Sequence, residues 1–130
     1  MSKKRNNVFF MEIFNDILKI NDNNIMIVYD KDGYIWFGLS DIIKSLGYTD
    51  VSHAKKYLQI SKTNKNKFCN IKVWGRPHTL IIQPHKLFIN ESGLYESLSI
   101  STKPLAKLFM NRYFTDIMPK IREKWKIYFR

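Results

Sequence analysis

The chain has 130 residues and carries 22 Lys and Arg against 11 Asp and Glu, a formal charge of +11. Its 45% apolar and 25% charged residues are those of a globular chain, and at this length one domain buries roughly two thirds of its unfolded surface. Apolar runs of only a few residues exclude a membrane-spanning helix, and the lone Cys69 excludes an internal disulfide framework.

Residues 1–7 read as a flexible basic arm with no apolar core of a secretory signal, and residues 8–130 as one domain. An intracellular, reducing setting is the default. Phe10, Ile13, Phe14, Ile17 and Leu18 follow a 3–4 spacing that predicts an amphipathic helix, broken by residues 21–24. Residues 25–29 and 34–37 read as strands joined by a tight turn at Lys31, Asp32 and Gly33, the first hairpin. Ser40 and Asp41 begin a short helix with Ile42, Ile43 and Leu46 inward and Gly47 at its C-terminal end. Thr49 or Asp50 caps a second helix over residues 51–59, with Val51, Ala54, Tyr57 and Leu58 inward. The pair at 40–59 has the outline of a helix-turn-helix. On its second helix Ser52, His53, Lys55, Lys56 and Gln59 face away from the apolar stripe, where they could reach phosphates or base edges.

Residues 61–67 read as a polar, basic loop. The alternation over residues 68–74 predicts a strand with Cys69, Ile71 and Val73 on its buried face, so Cys69 is expected to be an inert core thiol. With a turn at Gly75, Arg76 and Pro77 and a return over residues 78–83, this makes a second hairpin with Trp74, Arg76 and His78 near its tip. Trp74 there either stacks on a base or packs across the strand pair. A short strand over residues 87–90 precedes a helix capped by Asn90 or Ser92 and running to about Ile100. Thr102 is the expected cap of the last helix, with Pro104 in its first turn, a kink at Pro119 and a buried stripe of Leu105, Leu108, Phe109, Phe114, Ile117 and Ile121. The fold class is α+β: an antiparallel sheet with two β-hairpins packed against about five helices.

The charge is uneven. Residues 51–90 hold Lys55, Lys56, Lys62, Lys65, Lys67, Lys72, Arg76 and Lys86 and no carboxylate. Clustered cations repel one another unless a polyanion relieves them, so the block reads either as a nucleic-acid footprint or as a solvated face in a Lys- and Asn-rich chain. The footprint reading gives the candidate contacts as Ser52, His53, Lys55, Lys56, Lys62, Lys65, Lys67, Lys72, Trp74, Arg76 and His78. Lys103, Lys107, Lys120, Arg122, Lys124 and Lys126 form either a second basic face or a solvated helix surface. No basic amphipathic helix dominates the central block, which argues against a membrane surface.

Enzyme chemistry finds little support. Cys69, His78 and His85 lack the spacing of zinc ligands, the three histidines stand in a block with no acid to orient them, and the carboxylates are scattered. The glycine-rich phosphate loop is absent. The expectation is a binding protein without cofactor or metal.

One run of residues carries a resemblance. Trp36-Phe37, Asp41-Ile42, Leu46-Gly47-Tyr48, then Phe88-Ile89-Asn90-Glu91-Ser92-Gly93-Leu94-Tyr95, Lys103-Pro104, Ala106-Lys107, Phe109, Pro119 and Ile121-Arg122 resemble the Bro-N domain. That domain opens the baculovirus repeated-ORF proteins and occurs in other large DNA viruses and phage antirepressors. The resemblance implies a small α+β domain that binds DNA in a gene-regulatory role inside an infected host cell, with no cofactor and no catalytic residue. Duplex DNA is the leading partner. Single strands, RNA, a protein partner and a homodimer remain open. Two departures stand out: the helical pattern at residues 8–20 where the family has a short strand, and the end at Arg130 where many relatives continue into a second domain. Gly47 and Gly93 read as positions of close packing or special backbone angles, and Trp36, Phe37, Tyr48 and Tyr95 as core rather than stacking platforms.

Overall fold

A computed structural model describes residues 11–14, 17–20, 22–74 and 82–129, and side chains at 19–20, 22–74 and 82–123. Six strands form one antiparallel sheet: β1 (Met11–Phe14), β2 (Ile17–Ile20), β3 (Asn23–Tyr29), β4 (Ile35–Gly38), β5 (Lys65–Lys67) and β6 (Leu87–Ile89), in the order β1-β2-β3-β4-β6-β5. The helices are α1 (Leu39–Ser45), α2 (Val51–Leu58), α3 (Glu91–Ile100), α4 (Pro104–Arg112) and α5 (Met118–Phe129). A π turn, Tyr113–Ile117, joins the last two into a single rod.

Alternation along β3 and β6 divides the protein into two layers. Ile25, Ile27 and Tyr29 face the helices and share a core with Phe37, Ile89, Ile42, Leu58, Leu94, Phe109 and Ile117. Val28 and Phe88 face the other way and are covered by Ile71, with Phe68, Val73 and Ile82 beside them. Burying each large side chain contributes about 1.5–3 kcal/mol, so the fully enclosed Phe37, Phe88 and Phe109 dominate the two layers.

The predicted β3–β4 hairpin forms, with Gly33 at φ +88° in its turn and the Asp30 carboxylate accepting from the Asp32 and Tyr34 N–H groups. Gly47, at φ +97°, ends α1 as expected. Asp50, rather than Thr49, caps α2 by accepting from the His53 N–H, and Asn90 caps α3 by accepting from the Gly93 N–H.

Several expectations are corrected. Residues 11–20 are two strands, not a helix. β2 pairs with β3 along four residues, and the open edge of a sheet offers a partner that overrides a local 3–4 spacing. The predicted basic loop contains a 3-10 turn, Lys62–Asn64, and then β5, because the exposed edge of β6 accepts a short polar strand. The second hairpin is not built from residues 68–74. Phe68–Asn70 is a 3-10 turn, and the segment crosses the reverse face of the sheet to cover Val28 and Phe88, touching it through one bridge, Asp30 to Val73. Ile71 is buried there, whereas Cys69 is exposed and is not a core thiol. The returning strand was expected over residues 78–83; Ile82 and Gln83 lie outside any strand, and residues 78–81 lie outside the described residues.

The last helix departs most from its pattern. Lys103, not Thr102, precedes α4, and the Ser101 hydroxyl accepts from the Lys103 N–H. Within α4 the buried face is Ala106 and Phe109, which leaves Leu108 exposed, and through the π turn Tyr113 and Ile117 point inward while Phe114 is exposed. Pro119 follows directly, one residue into α5, where the wider turn tolerates a ring that cannot donate. Tyr57 and Tyr95 are also exposed rather than core.

Candidate nucleic-acid interface

Helix α2 packs on α1 and α3 through Ala54 and Leu58, with Val51 half-buried. Helical geometry then turns Ser52, His53 and Lys56 outward, and all three are exposed. Lys55 sits half-buried at one margin of this arc. Tyr57 sits at the other, its hydroxyl 3.5 Å from the Ile100 carbonyl.

From α2 the chain passes directly into the basic segment, which a polar clamp holds to α3. The Glu96 carboxylate accepts from the Ser61 N–H at 3.1 Å, from the Ser61 hydroxyl at 2.5 Å and from the Asn64 amide at 2.9 Å. These bonds from Asn64 and Ser61 hold the Glu96 carboxyl below the usual carboxylate range, against a smaller opposing effect of burial. The Asn64 carbonyl accepts from the Asn90 N–H at 3.0 Å. Lys62 is exposed on this clamped turn. Lys65 and Lys67 lie opposite Ile89 and Leu87, so both occupy the margin of the helix-covered face of the sheet, with Asn66 on the other face.

Ser52, His53, Lys55, Lys56, Lys62, Lys65 and Lys67 therefore follow one another on the helical side. Lys72 and Trp74 do not join them. The Lys72 carbonyl accepts from the Lys31 N–H and the Trp74 N–H donates to the Tyr29 carbonyl, which places both residues beside the β3–β4 turn, where the segment leaves the reverse face of the sheet. Arg76 and His78 lie outside the described residues. Lys86 is engaged elsewhere, 3.4 Å from the Asp41 carboxylate and over the Phe88 ring. Among the described residues the other ion pair is Arg112 with Asp116, so the lysines of α2, the 3-10 turn and β5 have no carboxylate partner.

Lys103 joins this region in a way that spacing alone does not reveal. Its ammonium stands 5.0 Å above the Tyr48 ring, and the Tyr48 hydroxyl lies 2.8 Å from the Ser101 hydroxyl, which ties the α1–α2 turn to the α3–α4 link. The Pro104 signal marked the helix start but not which neighbour it meets. Among the described residues no three His, Cys, Asp or Glu stand together as metal ligands would, and no helix is long and apolar enough to cross a membrane.

A family model described as the BRO family, N-terminal domain, matches residues 24–119. The chain belongs to this family. An uncharacterised protein of Haemophilus influenzae is 30% identical to it over 105 residues, 81% of this chain and 48% of the relative. The chain thus spans about half the length of the curated relative it matches. No solved structure matches.

The densest stretch of Bro-N resemblance, Phe88 to Tyr95, is the base of the basic segment. Phe88 and Ile89 fill the two core layers, and Asn90 caps α3. Gly93 sits where a Cβ would stand 2.8 Å from the Asn64 carbonyl oxygen and 3.0 Å from the Ile89 Cβ. Its missing side chain is what lets the Lys62–Asn64 turn lie against α3. Asp41, another position of the resemblance, frames the first helix: its carboxylate accepts from the Met26 N–H at 3.0 Å and pairs with Lys86.

Proposed function

We propose that this Bro-N domain is a DNA-binding module that grips the sugar–phosphate backbone, duplex DNA first, in a role in transcription or genome regulation. The observation that carries the reading is the succession of exposed or half-exposed cations without a carboxylate partner, Lys55 and Lys56 on α2 and then Lys62, Lys65 and Lys67, on a segment clamped to α3. A clamped backbone presents the lysines to phosphates with less segment ordering left to do on binding, and each contact releases condensed counterions. His53 and Ser52 add hydrogen-bonding groups on the same arc, and Asp50 already takes the His53 N–H at the α2 N-terminus.

Lysine acts as a point charge rather than a planar fork, and the cations of this row among the described residues are lysines, so these contacts favour phosphates over the bidentate reading of guanine. The module is therefore expected to be tolerant of sequence. Lys72 and Trp74 lie apart from this row and are not in the proposed surface.

Fluorescence anisotropy with a labelled duplex tests the reading. Lys55→Glu with Lys56→Glu is expected to weaken binding at least about tenfold, or 1.4 kcal/mol, with an unchanged melting temperature. Equal affinity for the variant and the parent overturns it.

A further inference from the structure

A groove of opposite character runs between α3 and the rod of α4 and α5. Its main lobe has a volume of about 470 Å³, with Leu98, Met110 and Met118 on its floor and the half-exposed rings of Tyr95 and Phe114 at its rim. Among the described residues that line this lobe, the ionisable acids and bases besides Tyr95 and Tyr113 are Glu91 and Glu96, with no Lys or Arg. A second lobe of about 310 Å³ meets the first at Glu91 and Met118 and adds Asp32 and Arg122. A chain of +11 thus keeps three carboxylates and one guanidinium along one apolar channel.

The two glutamates of the main lobe are held in place by hydrogen bonds. Glu96 is the clamp of the basic segment, and its hydrogen bonds keep it charged. Glu91 accepts a hydrogen bond from the buried Tyr113 hydroxyl, whose own ionisation is suppressed by burial first and by Glu91 second. Among the described residues neither glutamate has an ion-pair partner. The exposed rings point to the same ligand chemistry, since an aromatic face attracts a cation, while the methionines adapt to varied apolar shapes.

We propose that this groove is a docking site for a basic amphipathic segment of a partner protein, apolar side chains on Leu98, Met110, Phe114 and Met118 and a Lys or Arg against Glu91 and Glu96. The charge selects the occupant. Phosphates are repelled by the two glutamates. A second copy is itself a folded chain of +11 and adds like-charge repulsion on approach, whereas a short segment brings only the few charges that meet the glutamates. The groove shares Glu96 and Asn64 with the clamp of the basic segment but none of its lysines, so peptide binding and duplex binding are read apart by substitutions at Tyr95, Phe114 and Glu91.

The experiment uses the full chain freed of nucleic acid and three labelled synthetic peptides of equal length: an amphipathic Leu–Arg helix, a Leu–Glu counterpart and a Ser–Arg peptide of the same charge. The Leu–Arg peptide is expected to bind with one-to-one saturation and the other two at least about tenfold more weakly. Tyr95→Ala and Phe114→Ala, at exposed positions, are each expected to weaken it while leaving the thermal transition and duplex binding in place. Glu91→Gln is expected to weaken it and to flatten its salt dependence. Equal binding of the Leu–Glu peptide, Leu–Arg binding that none of the three substitutions weakens, or a dimer in sedimentation equilibrium that Phe114→Ala dissolves would each overturn the proposal, the last because the occupant would then be a second copy.

Discussion

Gly93→Ala separates the scaffold from the charges it carries. In the first turn of α3 an alanine gains up to about 1 kcal/mol of helix propensity over glycine. Here its methyl would stand 2.8 Å from the Asn64 carbonyl oxygen, 3.0 Å from the Ile89 Cβ and 3.2 Å from the Asn64 Cβ. Two of these three neighbours belong to residue 64 of the clamped turn, and the third belongs to the core strand β6. Forcing a methyl into packed surroundings costs about 1–3 kcal/mol. Moving the turn away also loosens the Asn90 N–H bond to Asn64 and the Glu96 bonds to Ser61 and Asn64, each net contribution being about 1 kcal/mol. The net expected loss is about 1–3 kcal/mol, and at about 3–6 °C per kcal/mol for a chain of this size the midpoint falls by about 3–18 °C. Duplex affinity is expected to fall as well, although no charge has changed, because Lys62, Lys65 and Lys67 lose their fixed placement. Thermal circular dichroism and anisotropy on one preparation measure both. An alanine variant as stable and as tight-binding as the parent would refute the packing argument.

Three further substitutions examine the frame. Asn90→Ala removes the α3 cap and is expected to cost about 1 kcal/mol in urea unfolding. Asp41→Ala leaves the Met26 N–H without its acceptor and Lys86 without its partner, and a loss of about 1–3 kcal/mol is expected by the same assay. Glu96 has a folded pKa below its ordinary 4.5, so its contribution is present above that value and is lost as pH falls through the lowered one. The stability gap between the parent and Glu96→Gln is therefore expected near neutral pH and to narrow as the pH falls below the ordinary 4.5; a gap that widens in acid would contradict the clamp.

Much of the fold was legible because local signals agreed with the global structure. The turn at Gly33, the helix stop at Gly47 and the caps at Asp50 and Asn90 each answer to a short-range backbone requirement that the sequence displays directly. The failures share a cause: a partner distant in sequence overrode the local pattern. Residues 11–20 have a helical spacing but pair with β3, and residues 68–74 alternate as a strand but serve as a cover for Val28 and Phe88. The π turn added a phase shift that no periodicity announces, which exchanged Phe114 for Tyr113 in the core.

The candidate site was legible in its charge and not in its geometry. An acid-free stretch identified the lysines, yet only the sheet register shows that Lys65 and Lys67 lie beside the helical layer while Lys72 leaves by the reverse face. The acidic groove was illegible for the same reason. Glu91 and Glu96 stand five residues apart on α3, but the sequence does not show that Met110, Phe114 and Met118 of the rod, or Asp32 of the β3–β4 turn, come to lie beside them.

The salt dependence of duplex binding tests the central claim most directly. Neutralising about five phosphates with Lys55, Lys56, Lys62, Lys65 and Lys67 predicts a slope of log affinity on log salt near −4.5. Lys56→Glu with Lys62→Glu is expected to bring it about two units closer to zero while the fold persists. A slope near zero in the parent, or one that the double variant leaves unchanged, would contradict the account.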